Sequence, residues 1–160
     1  MSNTKGTILG RVPTGISGLD TILHGGFLKG GLYIVQGPPG TGKTTLANQI
    51  CFYHAAKGGR ALYVTLLAEY HGRMIQHIDG MSFFDASQIP DRVFYLNGFG
   101  TLRTDGYPAL RDMIWREIVN HKASILILDG FATVQRKSPD EQDFNELERN
   151  PISLAHIRRR

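Results

Sequence analysis

Cysteine is scarce, long apolar runs are absent and excess charge is small. The single cysteine among 160 residues, Cys51, excludes an internal disulfide and a metal site built from several thiolates. No apolar stretch approaches the roughly 18 residues needed to cross a bilayer. Met1 to Leu9 is polar and lacks the apolar core of a secretory signal, so the expected compartment is cytoplasmic. The formal net charge is +4, and Arg158, Arg159 and Arg160 account for all but +1 of it. A body this close to neutral argues against a broad nucleic-acid footprint, which needs basic residues clustered on one face. Residues 152–160 read as an irregular, solvated basic tail. With 41% hydrophobic and 20% charged residues, wholesale disorder is excluded, and the length suits one domain over 1–160.

What is present is an alternation of short apolar runs and helical patterns. Leu32-Tyr33-Ile34-Val35 is compact, apolar and bounded by glycine, which predicts a buried strand. A helix is expected over about Lys43 to Lys57, stopped by Gly58-Gly59. Further strands are expected at Ala61 to Leu67, Val93 to Leu96 and Ile125 to Leu128. Helices are expected at His71 to Asp79 and at Ala109 to His121, the latter with Leu110, Met113, Ile114 and Ile118 on one face. Ser138-Pro139-Asp140-Glu141 reads as a helix start. Strands alternating with helices imply an α/β fold, a parallel sheet with flanking helices.

Gly37-Pro38-Pro39-Gly40-Thr41-Gly42-Lys43-Thr44 matches G-x-x-x-x-G-K-[ST], with a strand expected before it and a helix after it. Glycines let the backbone wrap phosphates and aim N–H groups inward, and the start of the following helix adds positive potential. This pattern predicts a nucleotide bound by its phosphates along Gly37 to Thr45, with Lys43 reaching the terminal phosphates and Thr44 offering its hydroxyl to Mg²⁺. Asp129 closes an apolar run, as a Walker B aspartate does. It is expected at the same sheet edge, holding Mg²⁺ through water. The six histidines show no ligand spacing. Tyr70 and Phe131 are equal candidates for stacking on a base, and Trp115 and Phe83-Phe84 read as packing residues.

Other branches of P-loop proteins are disfavoured by particular letters. Gly130, not glutamate, follows Asp129, there is no Asn-Lys-x-Asp, and there is no Leu-Ser-Gly-Gly-Gln. The chain instead resembles the KaiC/RadA group of RecA-like ATPases over about Gly10 to Gln135. The resemblance is carried by Thr14-Gly15-Ile16-Ser17-Gly18-Leu19-Asp20, Gly25-Gly26, the loop at Gly37 to Thr44, Glu69 after Tyr63-Val64-Thr65, and Ile125 to Asp129.

The resemblance implies a Mg²⁺-dependent ATPase module driving a regulatory or signalling conformational change. It implies ATP as ligand, and a homo-oligomeric ring or a signalling protein as partner. A nucleotide sensor that does not hydrolyse and a DNA-repair mediator are the alternatives, with DNA disfavoured by charge and no membrane partner expected. Glu69 is the implied general base beside Lys43, but it stands one place later than the paired glutamates of KaiC, at whose positions Leu67 and Ala68 lie. A carboxylate starting a helix fits Glu69 equally. In this fold the strand after Walker B lies between the Walker B and P-loop strands. Only 31 residues follow Asp129, and Ile152 to Ile157 is a weak strand. The expectation is therefore a RecA-like core incomplete at its C-terminus, with a gap of roughly one strand spacing, about 5 Å.

Overall fold

The computed structural model describes residues 10–68 and 71–130. In chain order the elements are β1 (Arg11–Val12), α1 (Ser17–Ile22), β2 (Phe27–Leu28), α2 (Lys43–Ala56), β3 (Ala61–Thr65), α3 (His71–Ile78), a short 3₁₀ turn at Ala86–Gln88, β4 (Val93–Asn97), α4 (Phe99–His121) and β5 (Ile125–Asp129). The main sheet is parallel, in the order β4-β3-β5. The central strand β3 is buried along its whole length.

Alternation along β3 divides the core into two layers. Leu62 and Val64 face α4 and pack with Phe94, Leu110, Ile114 and Ile118. Ala61 and Tyr63 face α2 and α3 and pack with Cys51, Phe52, Ala55, Ile78 and Val93. Phe83 and Phe84 close this second layer against the Phe52 ring. Burial pushes the Cys51 thiol up to about 12, as suits a small core hydrophobe. Trp115 does not join the packing expected of it: it is 40% exposed, off the face formed by Leu110, Ile114 and Ile118.

Two regions depart from the sequence pattern. Leu32 to Val35 is not a buried strand: Leu32 is 76% and Ile34 75% exposed. A strand gains its backbone hydrogen bonds only from neighbours. Among the described residues β5 pairs with β3 alone, and no strand pairs with 32–35. Tyr33 turns back instead, its ring against Phe27 and its hydroxyl accepting from the Leu28 N–H at 2.8 Å. The second departure is α4, which begins ten residues before the pattern suggested. Its two parts are separated at Gly106 (φ 78°, ψ −172°), and Pro108 sits in the first turn of the second part, where a missing N–H costs little. Glu69, Tyr70, Phe131, Ser138 to Glu141 and Ile152 to Arg160 lie outside the described residues.

The lead-in Thr14 to Asp20 is a local lock. Asp20 accepts from the Thr14 N–H (2.7 Å), the Thr14 hydroxyl (2.8 Å) and the Gly15 N–H (3.2 Å). The Thr14 N–H contributes most to holding the Asp20 carboxyl below its ordinary value of 3.8, against an opposing desolvation cost. Gly15 has φ +78°, and a Cβ there would overlap the Tyr53 ring of α2.

Gly15→Ala is expected to destabilise the fold by about 2–4 kcal/mol, from positive φ plus the ring clash, measured by denaturant unfolding. Because its pKa is lowered on folding, Asp20 contributes stability fully above 3.8 and loses it as pH falls through the lower folded value. The gap in melting temperature between wild type and Asp20→Asn should be widest at neutral pH and close at strongly acid pH.

Candidate functional site

The carboxyl ends of the three parallel strands are level, since Asn97, Thr65 and Asp129 are register partners. This edge is where open α/β sheets place their ligands. The start of α2 arrives at the same edge and brings the glycine-rich loop with it.

The loop runs exposed from Gly37 to Gly42. Gly40 (φ +80°) and Gly42 (φ +81°) hold left-handed conformations that a side chain would strain, and Gly42 stands directly before the first turn of α2. Thr41 donates its hydroxyl to the Pro38 carbonyl at 2.9 Å. The Lys43 ammonium lies across the loop, donating to the carbonyls of Gly37 (2.8 Å) and Pro38 (2.7 Å). Backbone curvature, a lysine and a helix N-terminus thus share one small region. Gly37, Pro38, Pro39, Gly40, Thr41, Gly42, Lys43, Thr44 and Thr45 are contiguous around it.

Thr44 and Asp129, 85 residues apart in sequence, meet here. The Thr44 hydroxyl donates to Asp129 Oδ2 at 2.9 Å. Both are half-buried. A hydroxyl and a carboxylate side by side form a hard oxygen donor set, which fits Mg²⁺. Among the described residues no three His, Cys, Asp or Glu side chains converge in the manner of a zinc or iron site. Glu69 lies outside the described residues, so its distance from Lys43 and Thr44 is not part of this geometry.

A polar network not expected from the sequence stands behind this pair. The Tyr63 hydroxyl donates to the same Asp129 Oδ2 at 2.7 Å. Burial first, and then the Asp129 charge, hold the Tyr63 phenol well above its ordinary range, so it is a fixed donor. Asn48 is fully buried in α2. It donates from Nδ2 to the Thr44 carbonyl at 2.8 Å and accepts the Tyr95 hydroxyl at 2.6 Å. The Tyr63 and Tyr95 rings lie 5.4 Å apart on neighbouring strands. At the strand ends His71 pairs with the Thr65 hydroxyl at 3.2 Å, and burial lowers its pKa. One signal was available: Asn48 lies on the apolar face of α2 with Cys51, Phe52 and Ala55, four residues after Thr44. For Tyr63 and Tyr95 none existed, because their partners are defined only by the tertiary fold: sheet register for Tyr63 and Asp129, and the packing of α2 on β4 for Tyr95 and Asn48.

A family model described as "ATPase: KaiC" matches residues 12–147. DNA repair protein RadA of Synechocystis sp. is 42% identical over 153 residues, covering 93% of this chain and 28% of that protein. DNA repair and recombination protein RadB of Pyrococcus furiosus is 29% identical over 149 residues, covering 92% of this chain and 62% of RadB. A UPF0273 protein of Thermotoga maritima is 43% identical over 56 residues, 35% of this chain and 23% of its own. The chain thus spans between about a quarter and three fifths of the length of these relatives.

Asn48→Ala removes the acceptor of the half-buried Tyr95 hydroxyl and frees the Thr44 carbonyl. It should cost about 2–4 kcal/mol of unfolding free energy, measured by chemical denaturation.

Proposed function

Since the chain belongs to the KaiC family of RecA-like P-loop ATPases, we propose that it binds ATP along Gly37 to Thr45 with Mg²⁺ at Thr44 and Asp129, and that it hydrolyses ATP to drive a regulatory conformational change. The observation that carries this reading is the 2.9 Å contact between Thr44 and Asp129 beside the Lys43 loop. A chance glycine-rich turn has no reason to deliver its threonine to the aspartate that ends a distant strand.

In this reading the Lys43 ammonium exchanges the carbonyls of Gly37 and Pro38 for phosphate oxygens, as a mobile point charge can. Loop N–H groups and the start of α2 stabilise negative charge. The Thr44 hydroxyl and the Asp129 carboxylate hold the metal side. Bound Mg²⁺ would neutralise charge that develops on the phosphates. Glu69 is proposed to orient the attacking water and accept its proton. Assembly into a ring, and coupling to a signalling protein, belong to the same proposal.

A second reading, a DNA-repair mediator, is favoured by the names of the RadA and RadB relatives. It is opposed by a body charge of only +1 once the three terminal arginines are set aside. Salt-sensitive binding of single-stranded DNA would favour it.

Thermal melts with and without Mg-ATP test the reading. At ATP one hundred times above its dissociation constant, wild type should gain about 2.7 kcal/mol and Lys43→Ala far less. Phosphate release should be lost in Lys43→Ala and in Glu69→Gln, with ATP binding kept in the latter. A wild-type melt indifferent to Mg-ATP would overturn nucleotide binding. Binding without phosphate release would leave a nucleotide sensor, not an ATPase.

A further inference from the structure

Tyr63 lies on the central strand with its backbone paired to Ile127, yet its side chain runs along the strand direction to the residue two further on in β5. The residue is fully buried. Its ring fills the layer under α2 beside Tyr95, and a phenylalanine would do that equally well. The hydroxyl is the part that packing does not require. It ends 2.7 Å from Asp129 Oδ2, the oxygen that also accepts from Thr44 at 2.9 Å.

Two donors from different elements therefore converge on one carboxylate oxygen. Thr44 approaches from the helix that follows the loop, and Tyr63 from the core. A carboxylate held by a single hydrogen bond keeps freedom about its terminal torsion, where the rotational wells are broad. A second donor, rigid because its ring is enclosed, removes that freedom. Groups that orient a metal-holding carboxylate tune metal affinity nearly as strongly as the ligands do.

We propose that Tyr63 is a positioning residue for the metal site: its hydroxyl fixes the rotation of Asp129 so that the carboxylate and the Thr44 hydroxyl meet one Mg²⁺ together. This rests on the reading of Thr44 and Asp129 as the metal-side pair. Tyr63 touches neither nucleotide nor metal in this arrangement. Its effect is confined to the metal-dependent part of nucleotide binding.

The test is Tyr63→Phe, with a fluorescent ATP analogue titrated in EDTA and then at rising Mg²⁺. The Mg²⁺ concentration for half-maximal enhancement of binding should rise by about 10-fold or more, while affinity in EDTA stays within about twofold. Equal weakening with and without metal would make the hydroxyl a general structural prop and overturn the proposal. So would an unchanged Mg²⁺ requirement. If wild type itself shows no Mg²⁺ enhancement, the metal-side reading of Thr44 and Asp129 fails, and this proposal fails with it. A measurement that needs no variant runs beside these: wild type labelled with ¹³C at the tyrosine Cζ, the Tyr63 signal assigned through its contact with the Tyr95 ring. Adding Mg²⁺ to the nucleotide complex should shift that signal, and a Tyr63 signal blind to Mg²⁺ would refute the role.

Discussion

The Asp129 carboxylate is the point on which the described structure turns. One of its oxygens accepts from Thr44 at the head of α2 and from Tyr63 in the central strand. Those two bonds tie the glycine-rich loop to the edge of the sheet. A loop of this kind is exposed and makes few contacts of its own, so its position depends on what anchors the helix behind it. The second anchor is Asn48, which links the Thr44 carbonyl to Tyr95 on β4. Tyr63 and Asn48 are fully buried, and Thr44, Tyr95 and Asp129 are half-buried. In such surroundings a satisfied network is rigid and a broken one costly.

The family assignment gives this geometry its chemical sense. ATPases of this class work by positioning phosphates and metal, with little covalent chemistry left for the protein. A lysine held on the loop carbonyls, and a hydroxyl already bound to the acidic partner, suit that task. The Thr14 to Asp20 lead-in serves a different end. Its threonine, glycine and aspartate form a self-satisfying turn that packs Gly15 on Tyr53 of the same helix α2. One of the motifs that carry the family resemblance is thus, in this chain, a support for the helix that carries the loop.

Much of this was legible in the letters. The glycine-rich loop, the helix after it and the aspartate after four apolar residues follow patterns whose periodicity and chemistry are local, and α2 and β5 fall within a residue or so of their expected bounds. The strand expected at Leu32 to Val35 was misjudged because composition reports what a segment would bury and not what lies beside it, and among the described residues no strand pairs with it. The early start of α4 was missed because Gly106 and Pro108 read as a terminus, whereas here they join two helical parts. Tyr63 and Tyr95 could not be found, since a tyrosine in a strand looks like core until the fold shows what its hydroxyl meets, Asp129 of β5 for one and Asn48 of α2 for the other. Glu69 stays where the sequence left it, outside the described residues.

The central claim is that a triphosphate and a divalent cation share the region bounded by Lys43, Thr44 and Asp129. The most direct measurement is a crystal structure of the chain with a non-hydrolysable ATP analogue and Mn²⁺, located by its anomalous signal. The account predicts the manganese peak at the Thr44 hydroxyl, within one water of Asp129, with phosphates inside the loop. A nucleotide bound elsewhere, or a metal peak remote from both residues, would contradict it.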